Sequence, residues 1–266
     1  MSTLGIGIVE LNFLKFCNLP LGRVLTIGRQ EFHLPKRCNL QGFSEDYLIN
    51  LGALEVISLD FSDYEGSNIA IDLSIRLQNP LLNKFDTILD FWSLEHISNP
   101  IIAIENLLNL LTPSGTILHS VPANGSLGHG FYQFSPEFFQ SAYASTGLVE
   151  KVDTYLVDRK HPKTIYYVKP IMRGRRANIR FEKSNIYNLV LVKKLNENNV
   201  VKDINFQQLD YLERYEKVYS LPIKNNSAFV NTLKGKLIDF INLRKSKLNN
   251  LNSDLIKIKL KKSVRP

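Results

Sequence analysis

The chain has 266 residues, 44% of them apolar, enough for a real core in one large domain or in a domain with an appendage. Two cysteines, Cys17 and Cys38, and five histidines far apart in sequence exclude a disulfide framework and argue against a structural zinc site, so no metal is expected. The net charge of +8 is unevenly placed: 7 Lys and Arg face 15 Asp and Glu in residues 1–150, whereas 26 face 10 in residues 151–266, which points to an acidic or neutral body and a basic appendage.

In chain order, the opening MSTLGIGIVELNFLKF has no cationic segment before its apolar residues, so it does not read as a secretion signal. No apolar run approaches the ~20 residues needed to span a bilayer, and a cytoplasmic setting is expected. Residues 4–16 have the pattern of a short helix, and 23–27 of a first strand that stops at Gly28. Ser44 is placed to cap a helix through about residue 51, with Glu45 and Asp46 in its first turn, where the helix dipole favours acids. Residues 54–59, 68–71 and 85–89 are short strands, ending at Asp60, Asp72 and Asp90. Asn99 and Pro100 open the apolar helix IIAIENLLNLL, which stops before the turn TPSG at 112–115. Residues 116–121 form a fifth strand. Ser135-Pro136-Glu137 starts a helix that Gly147 ends.

Two further β-like runs follow, at 148–157 and 186–193, with the basic loop YYVKPIMRGRRANIR between them. After Lys194 the texture turns rich in Asn and Lys. Phe229, Leu233, Leu237 and Ile241 recur at fourfold spacing, the mark of one helical face. A basic, mainly helical C-terminal extension over 198–266 is expected beside a body over 1–197, packed on that body, on a second copy or on a protein partner. Strands alternate with helices, and the strands are apolar without alternation, as when both faces of a sheet are covered. The pattern predicts a doubly wound, mostly parallel α/β sheet of seven strands.

In such a sheet ligands bind at the carboxyl ends of the strands. Gly28, Asp60, Asp72 and Asp90 all sit there. A glycine lets a ligand approach the backbone, a carboxylate after the second strand suits the two hydroxyls of a ribose, and one after the third suits an adenine amino group. The phosphate cradles GxGxxG and GxxxxGK[ST] are absent, which disfavours NAD and ATP. Each residue also has a plainer reading. Asp60 suits the cap of the SDYEGS turn, Asp72 a helix cap, Asp90 an anchor for the following loop, and Trp92 the core. Arg29 has Glu31 and Asp63 nearby as surface partners.

The segments VLTIGRQ at 24–30, LDFSDYEGSNIAIDL at 59–73, FDTILDFWSLEH at 85–96 and GHGFYQFSPEFF at 128–139 carry a resemblance over roughly residues 5–195. The chain resembles class I S-adenosylmethionine-dependent methyltransferases, and more closely a group of methyltransferase-like proteins of uncertain substrate. The resemblance implies a Rossmann-like methyltransferase sheet and S-adenosylmethionine as cofactor. It places Gly28 beside the methionine part, with Arg29 and Gln30 in the turn. It puts Asp60 on the ribose, Asp72 and Leu73 on the adenine, and Phe91 and Trp92 along the other side. The usual first motif has an acid before several glycines; here Thr26 and a single Gly28 stand in their place.

The loop PANGSLGHGFYQFSP at 122–136 follows the fifth strand, on the edge where the family admits its acceptor. Asn124, Phe131 and Tyr132 are expected to contact the acceptor by hydrogen bonding and stacking. A histidine titrates near pH ~6.5 and suits removal of an acceptor proton. His129 is the expected base, with a backbone-pinning role as its alternative. His96 either orients the loop after the fourth strand or faces the acceptor, and Glu95 suits a cap or a salt bridge. Methyl transfer to a small molecule, such as a sugar or glycan precursor, leads. A non-catalytic binding or assembly protein on the same fold is the alternative. RNA modification through the basic loop at 169–180 ranks third, since no RNA-binding motif is present and nucleic acid is not an expected partner.

Overall fold

The computed structural model describes residues 6–34, 41–63, 65–78, 82–169, 184–208 and 255–259. The first segment gives helix α1 (Ile8–Cys17) and strand β1 (Gly22–Ile27), followed by α2 (Glu45–Asn50) and β2 (Ala53–Asp60). Then come β3 (Ile69–Ala70), β4 (Phe85–Phe91), a single 3-10 turn (Leu94–His96), α3 (Pro100–Leu110) and β5 (Leu111–Asn124). Helix α4 (Pro136–Ser145), β6 (Val149–Asp158), β7 (Thr164–Val168), β8 (Ile186–Lys194) and β9 (Leu255–Lys259) complete the described elements.

The strands form one sheet in the order β3-β2-β1-β4-β5-β8-β6-β7-β9. From β3 through β5 all neighbours pair in parallel. Strand β8 runs antiparallel between β5 and β6, and β7 and β9 add antiparallel partners beyond β6. The seven expected strands are present in a Rossmann-like, doubly wound arrangement. Strands β7 and β9 extend its edge, β7 overlapping the start of the expected basic loop and β9 lying inside the expected helical tail.

The side-chain alternation of each strand explains the two layers. Leu25, Ile88, Ile117, Val190 and Val192 point to one face, where α3 and α4 bring Ile104, Leu107, Leu108, Phe139 and Tyr143. Val24, Leu89, Leu118, Leu189 and Leu191 point to the other, where α1 and α2 bring Val9, Phe13, Leu14 and Leu48. Strands buried on both sides take apolar residues toward both layers, which is why they show no strict alternation.

Local signals place the helices. Asn99 Oδ1 accepts from the Ile102 N–H at 3.2 Å, with Pro100 at the first helical position. Ser135 Oγ accepts from the Phe138 N–H at 3.3 Å in the same way. Ser44 stands at the start of α2, but its hydroxyl makes no capping bond. The expected TPSG turn is absorbed into β5, which begins directly at the end of α3. The buried Lys194 ammonium donates to Leu108 O (2.9 Å) and Leu111 O (2.8 Å), serving carbonyls that the end of α3 leaves unpaired.

The described tail is not helical. Residues 198–208 run without regular structure along α3, where Val201 exchanges two hydrogen bonds with Asn109 and Arg76 ties Glu105 to Asp203. The fourfold pattern at Phe229–Ile241 and most of the basic loop lie outside the described residues. Among those described, no helix is long and apolar enough to cross a membrane.

Candidate functional site

The strand order reverses between β1 and β4, and the carboxyl ends of β1, β2 and β4 lie side by side there. A cleft of about 570 Å³ opens at this point, within the range of small-ligand sites. Its walls include Gly28, Arg29, Gln30, Asp60, Asp72, Leu73, Phe91, Trp92, His96 and Phe131. Ten of the thirteen residues singled out in the sequence therefore share one cavity. Asn124, Tyr132 and His129 do not line it.

The turn after β1 is built tightly. Gly28 has φ +73°, and a Cβ there would lie 3.2 Å from Ser93 Oγ and 3.8 Å from Asp60 Oδ2. Glycine satisfies both the left-handed backbone and the close approach of two neighbouring strand ends. Ser93 Oγ donates to Ile27 O at 2.7 Å. Gln30 Nε2 donates to Ile27 O (2.7 Å) and to Phe91 O (3.1 Å), so its amide ties β1 to β4. Both neighbours are carbonyls, which sets the amide orientation and leaves Gln30 Oε1 buried with no partner among the described residues. Arg29 does not pair with Glu31 or Asp63 as the sequence suggested. Its Nε donates to Glu45 Oε1 at 2.7 Å, Nη1 donates to Glu65 O at 2.9 Å, and the guanidinium lies 3.8 Å over the Phe43 ring. These contacts fix the charge against the start of α2.

Asp60 and Asp72 face the same cleft. Asp60 Oδ1 accepts from the Phe61 N–H (2.6 Å), and Asp72 Oδ1 accepts from the Ser74 N–H (2.8 Å). Each carboxylate thus steadies its own turn with one oxygen, and Asp72 caps a turn rather than a helix. Asp90 is different. It is 1% exposed, holds the Leu94 N–H through Oδ1 (3.0 Å), and meets His119 Nδ1 through Oδ2 (2.5 Å). His119 Nε2 in turn lies 2.6 Å from Tyr143 Oη, and the whole chain is buried. Asp90 is the structural anchor of the turn that carries Glu95 and His96.

Trp92 adopts φ +68°, a strained backbone for a bulky residue. Its N–H donates to Ser120 O (2.9 Å), its indole N–H donates to Glu10 Oε1 (3.1 Å), and its ring stands edge-on to Tyr187 at 4.3 Å. Glu10 also accepts from Ser120 Oγ (2.7 Å) and the Gly7 N–H (2.9 Å), and burial raises its carboxyl above the ordinary value. Sequence reasoning missed Glu10, His119 and Tyr143. The signal for Glu10 was there, as the lone acid inside the apolar run IVELNFL.

At the open end of the cleft, Phe131 is 73% exposed beside His96. The 125–131 loop folds back onto the 3-10 turn: the Phe131 N–H donates to Glu95 O at 2.7 Å, and Tyr132 Oη donates to Ser98 O at 2.8 Å. Tyr132 therefore anchors the loop instead of walling the cleft, and Asn124 lies exposed at the end of β5. The His129 side chain does not pin a backbone carbonyl. Its Nε2 stands 3.4 Å from Glu95 Oε1, and its ring is 4.9 Å from that of His96. Burial pushes the Glu95 carboxyl up to about 7, the Glu95 carboxylate raises His129, and partial burial lowers His96.

No protein-family model matches the sequence, and no curated protein matches it. Similar solved structures include the YcgJ protein from Bacillus subtilis, at 13% identity over 71% of this chain and 98% of that one, with a TM-score of 0.42. A 1,6-didemethyltoxoflavin-N1-methyltransferase from Burkholderia thailandensis, solved with S-adenosylhomocysteine, aligns at 16% identity over 71% and 78% of the two chains, TM-score 0.41. The N-methyltransferase NodS from Bradyrhizobium japonicum aligns at 14% over 71% and 94%, TM-score 0.40. At scores this low none of them bears on the substrate, and the Rossmann-like fold rests on the strand order and registers above.

Proposed function

We propose that the chain is an S-adenosylmethionine-dependent methyltransferase acting on a small hydroxyl-bearing molecule, such as a sugar or glycan precursor. The observation that carries this reading is the meeting of Gly28, Asp60 and Asp72 in one cleft at the carboxyl ends of the first parallel strands. The lining suits the cofactor. In this reading Asp60 takes the ribose hydroxyls, Asp72 and Leu73 the adenine, and Gln30 Oε1, without a partner among the described residues, the ammonium of the methionine part. Among the described residues a pyrophosphate would meet no free Lys or Arg here, since Arg29 is committed to Glu45. When bound, the cofactor supplies an electrophilic methyl group on sulfur.

The chain's own contribution is placement and proton handling. Phe91 and Trp92 close one wall. Phe131 offers an exposed ring on which an acceptor can stack, with His96 and Ser98 beside it. His96, which lines the cleft, takes the proton that a hydroxyl acceptor must lose, and His129, held by Glu95, stands against it outside the lining. Asn124 and Tyr132 are not part of this contact set.

One observation favours the second reading, a non-catalytic binding protein: the first turn carries one glycine and two side chains already engaged with the protein. Calorimetry with S-adenosylhomocysteine decides between them. Wild type is expected to bind, and Asp60→Ala to weaken binding by roughly tenfold or more, the loss of about 1.5–3 kcal/mol of charge-assisted hydrogen bonding. No heat and no thermal shift at millimolar ligand would overturn the cofactor assignment.

A further inference from the structure

The Glu95, His96 and His129 cluster contains more than a base. One donor atom from each of the three side chains can be chosen so that all lie within 4.8 Å of one another. Glu95 is 0% exposed, and both its carboxylate oxygens lack a hydrogen-bond partner among the described residues, as does the buried His129 Nε2. The 3.4 Å approach of His129 to Glu95 is near enough for an ion pair and poorly aligned for a hydrogen bond. A buried carboxylate left without a donor is costly unless a positive charge answers it.

The surrounding chain holds these groups in place. Gly130 sits against Glu95 at φ +73°, and a Cβ there would come within 2.8 Å of Glu95 Cγ and Glu95 O. Two backbone N–H groups, of Phe131 and Tyr132, donate to that same Glu95 carbonyl. The loop is thereby drawn onto the 3-10 turn, and His129 is delivered from 33 positions downstream of His96. The sequence spacing concealed this meeting.

We propose that Glu95, His96 and His129 bind one divalent transition-metal ion at the acceptor end of the cleft. Two imidazoles and one carboxylate suit zinc, cobalt, manganese or iron(II), whereas magnesium and calcium prefer oxygen ligands. Three protein ligands leave coordination positions open, and His96 itself lines the cleft, so these positions face the acceptor space. The role of the ion rests on the methyl-transfer reading, although its binding does not. An acceptor hydroxyl on the ion loses its O–H proton to solvent more readily, and the electron pair stays on the bound oxygen. In that state His96 is a ligand and not a base.

The test uses the full, untagged chain stripped with a chelator and then titrated with zinc or cobalt chloride by calorimetry. Cobalt binding is followed in parallel by visible absorption. Wild type is expected to take one ion per chain and to give no heat with magnesium. Glu95→Gln, His129→Gln and His96→Gln, each checked by circular dichroism, are expected to weaken zinc binding at least tenfold. His96 is exposed, so its variant keeps the test decisive should the buried ones misfold. No stoichiometric binding by wild type, or unchanged affinity in all three variants, would overturn the site. S-adenosylhomocysteine is titrated alongside. A chain that takes zinc and not this ligand keeps the metal site and loses the methyl-transfer reading; the reverse result removes only the metal.

Discussion

Asp60 and Asp72 each spend one carboxylate oxygen on their own turn and present themselves to a common cleft with the rest. The plain and the functional readings of these residues are thus compatible, because a carboxylate has acceptor sites for both. Glu10 shows the opposite arrangement: both its oxygens are engaged inside the protein, where it secures the strained Trp92. Its carboxyl is held above its ordinary 4.5 by burial, so the folded chain binds this proton more tightly than the unfolded one. The stability tied to it is complete below that ordinary value and is lost as pH rises through the folded value. Glu10→Gln removes this loss, so the stability difference, variant minus wild type, is expected to grow from about pH 5 to about pH 8 in urea unfolding. A difference independent of pH would show that Glu10 does not titrate in this way. At this scale the acids at strand ends were legible in the sequence, since topology alone decides which end of a parallel strand is open. The Asp90–His119–Tyr143 chain was not, because nothing in a linear pattern shows which polar residues on different strands and helices meet in a core.

Among the elements, the loop between β5 and α4 depends most on a single residue. Gly128 and Gly130 both have positive φ, but only Gly130 has a wall behind it: a side chain at 128 meets nothing within 4 Å, and one at 130 strikes Glu95. Gly130→Ala is therefore expected to cost about 1–3 kcal/mol more in unfolding free energy than Gly128→Ala. Equal costs would mean that the loop does not rest on Glu95. The glycines themselves announced a tight loop, whereas its landing place on the 3-10 turn belongs to tertiary structure. Strands β7 and β9 were missed for a related reason. TIYYV at 164–168 leads straight into cationic residues, and LIKIK at 255–259 lies in a Lys-rich tract, so charge outweighed the short β-like runs. Their pairing with each other supplies what neither segment signals alone.

Over the whole molecule, the acidic half of the chain supplies strands β1 to β5, with the cleft at their open ends, and the basic half extends the sheet beyond β5. The ligand site and the charged edge are therefore separate regions of one sheet, and among the described residues none that lines the cleft comes from the basic half. The central claim is that this cleft is a nucleoside site shared by two neighbouring strand ends. Crystals soaked with S-adenosylhomocysteine test it most directly. The expected result is density running from Gly28 past Asp60, with the ribose hydroxyls on Asp60 and the adenine beside Asp72 and Leu73. Density seated elsewhere, or a cleft left without ligand at saturating concentration, would contradict it.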